Sequence, residues 1–167
     1  PPGGSFFEIG GTIASAISSP VGGPSCTQGG SCGVPGLVAV AQATQGSLNN
    51  LRRIDSGQIE SGFGQADLAA WAYGGKGLFA DAGPMLRLRA IAGLFALSLH
   101  LVVGADSAIA GVNDLAGKRV SLGETGSGTA VNAHALLAAS GLGEHDLTRL
   151  YLRPGEAIEA IKTGTID

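Results

Sequence analysis

From residue 37 onward, short apolar runs alternate with stretches in which apolar residues recur three or four positions apart. The first pattern reads as buried strands and the second as helices with one face turned inward. Strands are expected at 37–42, 59–63, 88–94, 99–103, 119–122 and 150–152. Helices are expected at three places with clear punctuation. Ser47 stands as an N-cap before a helix that puts Leu48, Leu51 and Ile54 on one face and stops at Gly57. A helix over 129–140 ends at Gly141, and one over 155–163 carries Ala157, Ile158 and Ile161 inward and ends at Gly164. Asp67 opens a short helix over 68–73, and 112–115 is a helical turn. The first 36 residues are Gly- and Pro-rich; there, 6–9 reads as a strand feeding a helix over 12–19.

Strands alternating with helices of this length specify an α/β fold with mainly parallel sheets flanked by helices. One repeat supports this. Ile54 to Glu60 reads IDSGQIE, and Ile161 to Asp167 reads IKTGTID. Each is a helix end, a glycine in the left-handed conformation and the start of a strand.

Composition narrows the class. Glycine accounts for 29 of 167 residues, and charged residues for 14 %, where roughly 25 % is usual. With 44 % hydrophobic residues this is no charge-solvated disordered chain. A net charge of −3 supplies no basic field, which argues against nucleic acid as a partner. The longest apolar run, 90–105, is too short and too interrupted to span a bilayer. Cys26 and Cys32 lack metal-ligand spacing and no His completes a site, so no metal is expected. They read either as a disulfide closing a Gly-rich loop, which needs an oxidising compartment, or as two free thiols.

Candidate chemistry concentrates at strand-to-helix turns. The run 120–129, VSLGETGSGT, places Gly126, Ser127, Gly128 and Thr129 where a helix begins. Free N–H groups and the positive end of the helix dipole suit an anion there, and the same residues also suit a plain tight turn. The loop has no Lys for a Walker A motif and no third glycine for a dinucleotide fingerprint. A Ser127→Ala change is expected to weaken ligand binding by about 1 kcal/mol with little effect on stability. A second turn carries Gln65 and Asp67, the latter also suited to a helix's first turn; Trp71 and Tyr73 follow, either lining a pocket or packing the helix. Glu124 is a loop carboxylate that would serve as a general base only in an enzyme. No nucleophile elbow or His–carboxylate pairing is present, so neither catalysis nor a cofactor is expected.

The segments 31–42 (SCGVPGLVAVAQ), 56–63 (SGQIESGF) and 115–129 (LAGKRVSLGETGSGT) together resemble the TAXI family. These are solute receptors of a subclass of TRAP transporters, within the periplasmic binding proteins. The resemblance runs from Phe6 to Asp167. It implies a two-lobed, type II-like extracytoplasmic receptor that closes on a small carboxylate such as glutamate or 2-oxoglutarate and delivers it to an integral membrane TRAP permease. By that analogy the ligand meets Gly126, Ser127, Gly128 and Thr129, then Gln65 and Asp67, and a first loop at Gly10 and Gly11. The lobes would be 1–94 and 105–167, the second truncated, with a hinge strand at 95–104. The family's long Gly/Thr-rich first loop is missing where Gly10 runs into Gly11, so a segment is expected to be lost there and the chain to be incomplete. The competing reading is a cytosolic α/β enzyme or sensor domain that binds a small anionic or phosphorylated metabolite.

Overall fold

A computed structural model of the chain describes residues 4–23, 32–143 and 145–167. Its contacts form two units, Pro1–Thr44 and Gln45–Asp167. In the first unit, helix α1 spans Ser5–Ser18. The strand expected at 6–9 and the helix expected at 12–19 are replaced by this one helix. No proline interrupts residues 5–18, and interior glycine costs only about 1 kcal/mol relative to alanine. Gly10 and Gly11 are therefore helical and form no loop. The amides of Cys32 and Gly33 donate to the Ser18 carbonyl at 2.9 and 3.2 Å, and Val34 N donates to Ile17 O at 2.9 Å. Ser18 Oγ accepts from Ala39 N at 2.8 Å and donates to Ala39 O at 3.1 Å.

The second unit is a mixed α/β assembly. In chain order it contains α2 (Ser47–Asp55), α3 (Ala66–Gly74), 3-10 turns at Gly77–Phe79 and Val112–Leu115, β1 (Arg119–Ser121), α4 (Gly128–Ala139), β2 (Thr148–Leu150) and α5 (Pro154–Lys162). β1 and β2 pair in parallel, from Arg119 opposite Thr148 to Ser121 opposite Leu150, with α4 as the crossover.

Two apolar clusters hold this unit together. Leu51, Leu68, Ala72, Phe79, Met85 and Leu88 form the first, with Leu48, Ile54, Ala69 and Val131 packed on it. Ile109, Leu115, Leu122, Leu137 and Leu147 form the second, joined by Val120 and Ala133 among others. Helix α4 thus serves both, Val131 facing one and Ala133 and Leu137 the other. Each fully buried Leu or Phe is worth about 1.5–3 kcal/mol. The expected face of α2 is observed, whereas on α5 Ile158 is exposed and Ala157, Ala160 and Ile161 are half-buried.

The repeat is a structural repeat. Gly57 and Gly164 have φ of +73° and +68°. Gln58 N donates to Arg53 O as Thr165 N does to Ala160 O, both at 2.8 Å. Ile59 and Ile166 reach the same two carbonyls at 3.4 and 3.2 Å. Beyond the second copy, Asp167 N donates to Arg119 O at 3.0 Å, and the Asp167 carboxylate clasps the Arg119 guanidinium at 3.0 and 3.1 Å.

The strands expected at 37–42, 59–63, 88–94 and 99–103 are not in any ladder among the described residues. Past Leu88 every residue through Val102 is exposed, Ile91 by 86 %. An apolar run becomes a strand only beside another strand about 4.8 Å away, and none of these segments has a strand neighbour in a ladder among the described residues. No helix among the described residues is long and apolar enough to cross a membrane.

Candidate functional site

The turn after β1 is built on glycines that other residues cannot replace. Gly123 and Gly126 have φ of +90° and +83°, the left-handed region. A Cβ on Gly123 would also come within 2.9 Å of Thr129 Cβ. Ser127 is the N-cap of α4, and its Oγ accepts from Ala130 N at 3.1 Å. Ser127 is only 6 % exposed. The cap satisfies one first-turn amide. The amides of Gly128 and Thr129 belong to the same turn and have no intrahelical acceptor.

Two further helix starts press against this one. Gly46, the residue before α2, has φ +117°, and a Cβ there would lie 3.2 Å from Ser127 Cα. Asn49 N donates to Gly126 O at 3.3 Å, and a Cβ on Gly126 would meet Gln45 Oε1 at 3.2 Å. Ser47, 2 % exposed, accepts from Gln65 N through its Oγ at 3.2 Å. Asn50, 7 % exposed, donates its Nδ2 to Phe63 O at 2.8 Å. One face of α2 therefore fixes the extended stretch that ends at Gln65, the residue before α3. The Gln65 carboxamide then lies on Gly128, where any Cβ would overlap Gln65 Oε1 and come within 3.0 Å of Ser47 Oγ.

The structure thus gathers the expected residues Gln65, Gly126, Ser127 and Gly128, with Thr129 beside them. It does not gather the others. Asp67 turns its carboxylate to the Leu68 amide at 2.8 Å, and Tyr73 is half exposed near the end of α3. Gly10 and Gly11 sit inside α1, in the other unit. Cys26 lies outside the described residues. Reading the sequence missed Gln45, Gly46 and Asn50, and gave Ser47 a capping role that its hydroxyl does not play. The available signal was Gly46-Ser47, which repeats before α2 the Gly126-Ser127 step before α4.

The electrostatics are those of backbone rather than side chains. Among the described residues none of those gathered around Gly128 is a Lys or Arg, and Arg153 approaches Glu124 beside them. The helix starts of α2 and α4 each present about half a positive charge. Three buried side-chain atoms here have no hydrogen-bond partner: Asn50 Oδ1, Gln65 Oε1 and Glu124 Oε2. All are acceptor oxygens. Glu124 is a covered carboxylate rather than an open loop acid, its side chain 17 % exposed and Oε1 3.7 Å from Arg153 Nε. Among the described residues no three His, Cys, Asp or Glu side chains gather as a metal site.

Two solved structures overlap part of the chain. The periplasmic aliphatic sulphonate binding protein SsuA from Escherichia coli is 32 % identical over 39 % of this chain, with a TM-score of 0.36. The alkanesulfonate-binding protein SsuA from Xanthomonas axonopodis pv. citri, bound to MOPS, is 40 % identical over the same share, with the same TM-score. The match spans 22 % of either SsuA chain. Residues 1–167 match the NMT1-like family over their whole length, and the chain belongs to that solute-binding-protein-like family.

Proposed function

We propose that the chain is part of an extracytoplasmic solute receptor that captures a small organic acid by binding, without turnover. The acid sits at the start of α4. The observation that carries this reading is the meeting of three helix starts at Gly46, Gln65 and Gly128, with first-turn amides of α4 free to take a carboxylate. The absence of Lys and Arg from the cluster favours a weakly charged carboxylate over a phosphorylated metabolite, which a cationic side chain would normally help to neutralise. Membership of the NMT1-like family supports receptor over enzyme.

The finer assignments follow the family resemblance. The receptor is of the TAXI type, its ligand glutamate, 2-oxoglutarate or a related acid, and its partner a TRAP permease. In the same reading 1–94 and 105–167 belong to two lobes joined at 95–104, which close on the ligand. A Cys26 to Cys32 bridge fits an oxidising compartment, and no cysteine among the described residues is a free thiol.

Calorimetric titration of the chain with glutamate, 2-oxoglutarate, glutarate, an alkanesulfonate and a sugar phosphate tests this. Saturable binding of a carboxylate is expected. Binding of the sugar phosphate alone would move the assignment to a phosphometabolite protein, and silence toward all five would remove the receptor reading.

A further inference from the structure

We infer that Gln65 and Gly128 form a matched pair that selects acids carrying a hydrogen-bond donor next to the carboxylate, such as 2-hydroxy and 2-amino acids, over 2-oxo acids. The inference rests on the proposed acid site. Gly128 lies within helix α4 with no need for a left-handed backbone, so its lack of a side chain has another cause. That cause is the Gln65 carboxamide, which occupies the place a Cβ would take. The backbone that carries it is held from behind, because Ser47 Oγ accepts from the Gln65 backbone N–H and Asn50 Nδ2 donates to Phe63 O.

Placed so, Gln65 Oε1 is buried and accepts nothing. The unused side-chain capacity around the cluster is all of one sign among the described residues: Asn50 Oδ1, Gln65 Oε1 and Glu124 Oε2 are acceptors. The α4 amides supply donors for a carboxylate, so what the side chains still need is a donor. A hydroxyl or ammonium on the carbon next to the carboxylate supplies it. A carbonyl in that position sets two acceptors against each other.

The test compares glutamate, 2-hydroxyglutarate, 2-oxoglutarate and glutarate on the chain and on Gln65→Met, which keeps length and removes the acceptor. The chain is expected to bind the hydroxy and amino acids about tenfold more tightly than glutarate, and the oxo acid no better than glutarate. In Gln65→Met that preference should vanish, so that the hydroxy, amino and oxo acids and glutarate bind alike, whatever the common change in affinity. Gln65→Ala, which makes no demand on space, is the second variant if the first does not fold. Acid binding with no donor preference, or a preference that survives both variants, overturns the inference and leaves the receptor reading standing. No binding of any of the four acids to the unaltered chain overturns both.

Discussion

Helices α4 and α5 each begin just past the carboxyl end of a strand of the same parallel pair, yet their first turns are finished in opposite ways. At α5, Pro154 removes one donor, and Glu156 Oε2 accepts from Arg153 N at 2.9 Å. No residue of α5 is buried. That helix brings its own carboxylate and shows it to water. At α4 the first turn has no acidic residue, its cap hydroxyl serves a single amide, and Ser127, Gly128 and Ala130 are buried against α2 and Gln65. Both helices have a dipole, so the dipole does not make the site. The difference lies in a missing internal anion and in shelter from water, which strengthens any charge placed there.

The largest expected effect comes from filling the sheltered turn. Gly128→Leu should cost about 3 kcal/mol of acid binding, because the side chain takes the place of the Gln65 carboxamide and evicts it. Its counterpart Gly155→Leu, where nothing lies within 4 Å of a Cβ, should change binding by less than about 0.5 kcal/mol. Equal losses in calorimetry would erase the distinction between the two turns. Next, Ser127→Ala should lower stability by about 1–2 kcal/mol in chemical denaturation, since its hydroxyl is committed to the Ala130 amide. That revises the sequence-based expectation of a mainly binding effect. Glu156→Ala should cost about 0.5–1 kcal/mol of stability and leave acid binding alone, which thermal melts with and without glutamate would show.

The smallest effect is a pH dependence away from both turns. Hydrogen bonds from Arg119 hold the Asp167 carboxyl at about 2, against an ordinary 3.8. A depressed acid stabilises the fold above its unfolded value and loses that contribution as pH falls. The loss should therefore fall between about pH 4 and pH 2. Asp167→Asn should flatten the stability profile in that window, as followed by circular dichroism.

Local grammar made the helices and the parallel pair legible in the sequence. Leu48, Leu51 and Ile54 mark a face, and Gly57, Gly141 and Gly164 mark ends, all with positive φ. The stretch 6–9 was misread because a run of four residues, apolar at Phe6, Phe7 and Ile9, fits a strand or a helical turn equally well, and only length separates them. The apolar runs between 88 and 103 show strand composition, but a ladder depends on a neighbour the run itself does not specify. The site divides in the same way. Gly126, Ser127 and Gly128 are visible as one turn, and Gln65 as a helix entry. Their meeting with Gly46 and Ser47, some eighty positions from the turn, is tertiary. Asn50 has no local signature at all, since on sequence it is one more polar residue of α2.

The most direct test follows backbone amide resonances while glutamate and 2-oxoglutarate are titrated into the chain. Saturable shifts are expected that are largest at Gly128 and Thr129, smaller at Ser47 and Gln65, and absent from Gly155 and Glu156. Saturable binding that leaves Gly128 and Thr129 unmoved, or that moves the α5 turn instead, would contradict the proposed acid site.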